Sequence, residues 1–220
     1  MVENALNEQF AALHAHRVQT MDPADLGINI RQRAHLVATV DRGALPKAGD
    51  KVPDFTVPDV EGGSIVLSEL LSKGPVVLLF FRFAGCPACN IALPYYERNL
   101  HPELSARGAS LLALSPQLPE KLVEIKTRHN LSFPIGSDTD NRLGKHFGIV
   151  FVPTPEAKAN AEAKGSNIGE TTGTGTWELP MPAIIVVGQD GVIRYADVSP
   201  DWLVRTEAGN ILAALEPVAG

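Results

Sequence analysis

Cysteine is almost missing from this chain. Cys86 and Cys89 are the only two in 220 residues, so no network of disulfides holds the fold, and a chain of this length buries enough core to need none. Basic runs are missing too. With 19 Lys and Arg against 25 Asp and Glu, the formal charge is −6, which argues against a nucleic-acid partner, whose phosphates demand clustered cations. Long apolar runs are also absent. The longest, residues 75–81, falls far short of the roughly 20 residues of a spanning helix, so it reads as a buried strand and no membrane partner is expected. The start MVENALNEQF lacks the basic and apolar regions of a secretory signal, and the expectation is a cytoplasmic protein.

What is present is a soluble globular composition, 45% hydrophobic and 20% charged. Residues 1–45 read as a helical extension, with Ile30, Ala34 and Val37 forming one apolar stripe that needs a partner surface, either the main domain or a second subunit. The main domain occupies residues 46–220. TVPDVEGGSIVL predicts two short strands around a Gly-Gly turn. PVVLLFF is an apolar strand, CPACNIALPYYERNLH a helix and ASLLALS a second strand. PEKLVEIKTRH is then a helix with Leu118, Leu122, Ile125 and His129 on one face. Strand, helix, strand, helix implies parallel pairing. Residues 153–178 carry no sustained period and read as a long inserted loop. PAIIVV and VIRYADV flank GQDG as a hairpin, and residues 207–217 form a last helix with Ile211, Leu215 and Val218 on one face. A βαβ half followed by a ββα half is the thioredoxin fold, an α/β architecture.

Both thiols sit where the first apolar strand hands over to a helix, at the sheet edge where open α/β folds place their sites. A zinc site needs further ligands. Of six histidines only His14 and His16 lie close together, and they belong to the extension, so neither metal nor other cofactor is expected. At a helix start, free N–H groups and the dipole stabilise a thiolate, and Pro87 costs nothing there. Side chains at i and i+3 lie about 5–6 Å apart at Cβ, within easy adjustment of a Cys86–Cys89 disulfide. One thiol attacks and the other resolves, on either a substrate disulfide or a peroxide oxygen.

The stretches GDKVPDFTVPDVEGGSIVLSELLSKGPVVLLFFRFAGCPACN, GASLLALSPQ, LSFPIGSD, WELPMPAIIVVGQDGVIRYADVSPDW and NILAAL resemble the peroxiredoxin-like branch of the alkyl hydroperoxide reductase C and thiol-specific antioxidant (AhpC/TSA) family, over about residues 47–216. The resemblance implies a thioredoxin fold with peroxiredoxin-type additions, its central mixed sheet flanked by helices, and a thiol-dependent peroxidase reset by thioredoxin or a low-molecular-weight thiol. The family's Pro-x-x-x-Thr-x-x-Cys motif puts its peroxidatic cysteine at Cys89, with Arg82 in the Pro position and Cys86 in the Thr position. Its late arginine falls on Pro182. A thioredoxin template instead makes Cys86 the nucleophile, with Pro182 in the place of the cis-proline. That template carries an Asp at the position of Phe80 and a Trp at the position of Gly85, neither of which is here.

Arg82 is read either as a cation for a thiolate or as a strand-end residue in a salt bridge, Trp177 as a cover for the thiols or as packing, and Arg205 as the arginine of a late D-P-D-Y-x-x-R pattern. The alternatives to a peroxidase are a disulfide oxidoreductase and a redox sensor or binding module without turnover. Family habit and the Ile30 stripe favour a homodimer.

Overall fold

The apolar runs become the strands of one sheet. In the computed structural model, which describes residues 5–215, the extension forms α1 (Leu6–Thr20) and α2 (Pro23–Thr39). A small antiparallel pair, β1 (Thr56–Pro58) and β2 (Ser64–Val66), leads through α3 (Leu67–Leu71) into β3 (Val76–Phe80). Then come α4 (Cys89–Asn99), α5 (His101–Ala106), β4 (Ser110–Ser115), α6 (Pro119–His129), β5 (Ile135–Ser137) and α7 (Arg142–His146). The second half holds β6 (Val150–Phe151), α8 (Pro155–Ala163), α9 (Ile168–Thr172), β7 (Leu179–Pro180), β8 (Ala183–Val187), β9 (Ile193–Val198) and α10 (Ala208–Ala213).

The central sheet runs β5-β4-β3-β8-β9. β3 pairs parallel to β4 and β4 to β5, while β8 is antiparallel to both β3 and β9. Every residue of β3 and of β8 is buried, which is why both read as unbroken Val, Ile and Leu runs rather than alternating ones: helices cover both faces. The α6 face carries Leu122 and Ile125 into the core. The stretch taken as one helix from residue 86 to 101 is two, because Pro102 near the start of α5 opens a new helix after Leu100. α10 ends at Ala213, with Ile211 fully buried; Val218 lies outside the described residues.

Two expectations change. The polar stretch 153–178 is not a structureless loop: it leaves β6, forms α8 and α9, and returns on β7, which pairs antiparallel with β6. Thr154 caps α8, accepting from the Ala157 N–H at 3.3 Å, and Pro155 occupies its first turn. No residue of α8 is buried, so the helix rests on Ala, Glu and Lys propensity and caps, without the apolar period that reveals a packed helix. The Ile30 stripe also does not pack on the main domain. Ile30 and Val37 are 41% and 43% exposed, and α2 turns Gln32 and Leu36 inward instead.

α1 is tied to the far end of the chain. Leu6 and Phe10 are buried, and the Glu207 carboxylate accepts from the N–H groups of Leu6 and Asn7 at 2.9 and 2.8 Å, an anion on the free donors of a helix start. Tyr95 of α4 donates to the same carboxylate at 2.9 Å.

Candidate functional site

The chain leaves β3 at Phe80 and reaches α4 through the segment holding both cysteines. The Cys86 carbonyl accepts from the Asn90 N–H at 3.0 Å, and its Sγ lies 3.4 Å from the Cys89 N–H. Cys86 thus sits in the turn just before α4, whose cap position is Ala88, with its sulfur facing the first N–H of the helix. Both cysteines are free thiols, 1% and 0% exposed, while Gly85 and Pro87 between and before them face outward.

Side chains from α4 and the β4–α6 region hold this loop. Asn90 donates to the carbonyls of Ala84 and Cys86 at 2.7 and 2.9 Å. Its oxygen meets Arg128 Nη1 at 2.9 Å and His129 Nε2 at 2.8 Å. Since the amide nitrogen faces two carbonyls, the oxygen is the acceptor and His129 donates from Nε2. Burial, with Arg128 and Arg98 nearby, lowers the His129 pKa and keeps the ring neutral. Gln117 accepts from the Ala84 N–H at 2.7 Å.

Arg205 arrives from 116 positions along the chain. Its Nη2 lies 3.4 Å from Cys89 Sγ, its Nε donates to the Trp202 carbonyl at 3.1 Å, and its guanidinium sits 5.4 Å from the Phe10 ring. Asn7 brackets its backbone, accepting from the Arg205 N–H at 2.9 Å and donating to its carbonyl at 2.8 Å. The extension therefore fixes the arginine that faces the thiol. Arg205 is 6% exposed, and among the described residues no carboxylate forms an ion pair with it. A buried cation demands a counter-charge. The sulfur of Cys89 is the one in reach.

The two thiols diverge accordingly. Cys86 is raised well above its ordinary value because its proton is held in a hydrogen bond to Cys89, with burial and the Cys89 charge adding to the effect. Burial alone would raise Cys89 as well, but the Cys86 thiol, the Arg205 guanidinium and the Arg82 backbone N–H hold it well below its ordinary value. These directions favour ionisation of Cys89 ahead of Cys86. Such a pair can deliver a sulfur nucleophile and then a second thiol three residues away.

Among the described residues Arg82 makes no salt bridge. Its guanidinium stacks on the Trp202 ring at 4.3 Å and its Nε is buried without a partner. Arg17 of the extension stands near it and near Arg33, and Arg33 pairs with Asp201 at 2.8 Å. Pro182 is buried and lines a crevice beside Tyr96, Arg205 and Thr206. Among the described residues no peptide bond is cis, so Pro182 does not reproduce the cis-proline of the thioredoxin template. Trp177 does not cover the thiols. It lines a cavity of about 250 Å³ with Arg82, Phe83 and Trp202, whose walls include neither sulfur. Residue patterns alone did not single out Asn7, Arg17, Asn90, Gln117 or Trp202; their only signal was polar or aromatic character in elements read as packing.

Known proteins resemble this chain in the same region. The family model described as AhpC/TSA matches residues 48–196. The thiol-disulfide oxidoreductase ResA of Halalkalibacterium halodurans is 36% identical over 112 residues, 50% of this chain and 62% of that protein. Peroxiredoxin Bcp of Escherichia coli is 31% identical over 103 residues, 47% of this chain and 65% of that protein. The chain thus spans less than two thirds of the length of these curated relatives. Among solved structures, peroxidoxin BcpB of Mycobacterium tuberculosis superposes with a TM-score of 0.59 at 25% identity, over 77% of this chain and 96% of that one. The reduced 2-Cys peroxiredoxin of Plasmodium vivax gives 0.59 at 15% identity over 77% and 94%, a likeness of fold.

Proposed function

Because the chain belongs to the AhpC/TSA family, we propose that it is a thiol-dependent peroxidase in which Cys89 attacks the peroxide and Cys86 resolves. The Cys89 thiolate attacks the terminal peroxide oxygen, forming the S–O bond as the O–O bond breaks, which gives a Cys89 sulfenic acid and, after protonation of the departing oxygen, an alcohol or water. The Cys86 thiol then attacks the sulfenic sulfur, forming the Cys86–Cys89 disulfide and releasing water. A dithiol of thioredoxin type, or two low-molecular-weight thiols, returns the pair to its reduced state with two electrons.

The observation that carries this reading is the Arg205 guanidinium 3.4 Å from Cys89, together with the opposite directions of the two thiol pKa values. Arg205 supplies the cation that Pro182 cannot, and the Cys86 thiol donates to the nucleophile from the position the family motif gives to threonine. Cys86→Ser should consume one equivalent of hydrogen peroxide and leave a sulfenic acid on Cys89, trapped by dimedone and located by mass spectrometry. Peroxide consumption that survives Cys89→Ser would overturn the assignment.

The likeness to ResA favours a second reading, exchange with protein disulfides. There Cys86, flanked by the exposed Gly85 and Pro87, would attack first, and insulin disulfide reduction would depend on Cys86 while peroxide reduction would not occur. In either case we place the chain in the cytoplasm, where a dithiol is kept reducible, and as a homodimer, since Ile30, Ala34 and Val37 form an exposed stripe. Light scattering at 23.5 kDa, the mass of one chain, would refute the dimer.

A further inference from the structure

The 250 Å³ cavity lies between α2 of the extension, the α8–α9 excursion and the end of β3. α2 precedes the region that the family model matches, so that match does not account for the α2 wall of this site. Much of its wall is aromatic or apolar: Phe83, Phe151, Trp177 and Trp202 all line it. Among its polar lining residues, two carry buried donors without a partner. Gln32, 4% exposed, gives its oxygen to the Thr154 N–H at 2.7 Å, which fixes the amide and leaves Nε2 without a partner. Arg82 lines the same cavity with its buried Nε also unpartnered. A buried donor left unpaired costs free energy, so a ligand that brings an acceptor is favoured over one that does not.

Charge narrows the choice further. The one carboxylate on the wall, Asp25, is already ion-paired with Lys164. Among the described residues Arg82 has no carboxylate partner, and it stands near Arg17, whose Nη1 is buried without a partner. We propose that this cavity binds a carboxylate carrying an apolar body, with Gln32 and Arg82 holding the carboxylate, and that it is the substrate subsite for a carboxylate-bearing hydroperoxide. The chemical half of this inference rests on the peroxidase reading; the binding half does not. Arg82 and Trp202 link the two, since both line the cavity and the Trp202 carbonyl accepts from the Arg205 guanidinium that faces Cys89. Hydrogen peroxide would leave the apolar wall unfilled.

The chain reports on this site directly, because its only two tryptophans, Trp177 and Trp202, both line it. Titrating the full-length reduced protein with octanoate should change tryptophan fluorescence saturably. Octanol, without the charge, and acetate, without the body, should each bind about tenfold or more weakly. Gln32→Glu, which keeps the side-chain shape and repels a carboxylate, should weaken octanoate to a similar degree while circular dichroism stays unchanged. Gln32→Leu provides a second variant that removes the donor without adding charge. Octanol binding as tightly as octanoate, or octanoate binding that neither variant weakens, overturns the site. The Cys86→Ser, Cys89→Ser double variant separates the two claims, because it should bind octanoate like the wild type although it reduces no peroxide. For the wild type, a carboxylate hydroperoxide should show a lower KM than its methyl ester, with octanoate competing. Octanoate that binds without competing would overturn the substrate assignment.

Discussion

Arg205→Met removes the cation facing Cys89 while keeping an unbranched side chain of similar reach. The wild-type contact is a guanidinium N–H 3.4 Å from the sulfur, in a site where Arg205 is 6% exposed and salt screens little. A hydrogen bond to a charged group contributes about 1.5–3 kcal/mol, so its loss should lower the thiolate-to-thiol ratio of Cys89 by about tenfold to a hundredfold. The direction follows from the sign. Arg205 favours the ionised form, so the Cys89 pKa rises in the variant, and at neutral pH less of the reactive thiolate remains. The assay is the pH dependence of Cys89 oxidation by hydrogen peroxide in a Cys86→Ser background, where the serine hydroxyl still donates to Cys89, read alongside the ultraviolet absorbance of the thiolate. Arg205→Lys retains charge but not the fork that reaches both the Trp202 carbonyl and the sulfur, so it should fall between the wild type and Arg205→Met. An oxidation profile unchanged in both folded variants would refute the claim that Arg205 is the counter-ion of Cys89.

Three further perturbations test the surroundings. Burial acts to raise the Glu207 carboxyl, but the N–H groups of Asn7 and Leu6 and the Tyr95 hydroxyl hold it below its ordinary value. A depressed carboxyl adds stability above the unfolded pKa and loses it as pH falls through the folded one; Glu207→Gln should therefore cost about 1 kcal/mol near neutral pH, with the gap from wild type closing in urea unfolding below pH 4.5. Asn90→Ala frees the carbonyls of Ala84 and Cys86 and should speed alkylation of Cys86 by iodoacetamide while lowering stability by about 1–3 kcal/mol. In Cys89→Ser the Cys86 thiol no longer faces a thiolate, so its alkylation should rise at lower pH than in the wild type; an unshifted profile would mean that Cys89 does not govern Cys86.

The sheet was legible because its strands are buried on both faces and so appear as continuous apolar runs; β3, β4, β8 and β9 fall close to where composition put them. The cysteines were legible because strand-to-helix junctions are short in sequence. What escaped is what depends on distant polar partners. α8 hides because a solvent-facing helix has no apolar stripe to display. The inward face of α2 hides because Gln32 is buried for a hydrogen bond to Thr154, a gain that a hydrophobic pattern cannot register, so the outward Ile30 stripe looked like the packing face. Arg205 could be suspected from its motif alone. Its approach to Cys89 depends on Asn7 gripping its backbone from the opposite end of the chain, and nothing local in either segment announces that pairing.

Under the proposed peroxidase order, the position of Cys86 would join activation to resolution in one sulfur. In the resting pair its raised pKa comes first from the proton it shares with Cys89, and burial and the Cys89 charge add to it, against Arg82 and Arg205. Oxidation of Cys89 to a neutral sulfenic acid removes the first and third of those influences together. Burial then stands against two arginines whose counter-ion has gone, so the field that held Cys89 ionised comes to favour ionisation of Cys86. Threonine in this position could donate to the nucleophile but could not follow it as a second nucleophile. With Cys86 Sγ already 3.4 Å from the Cys89 N–H, the proposed peroxidase order would link oxidation of one thiol to activation of the other through this departure from the family motif.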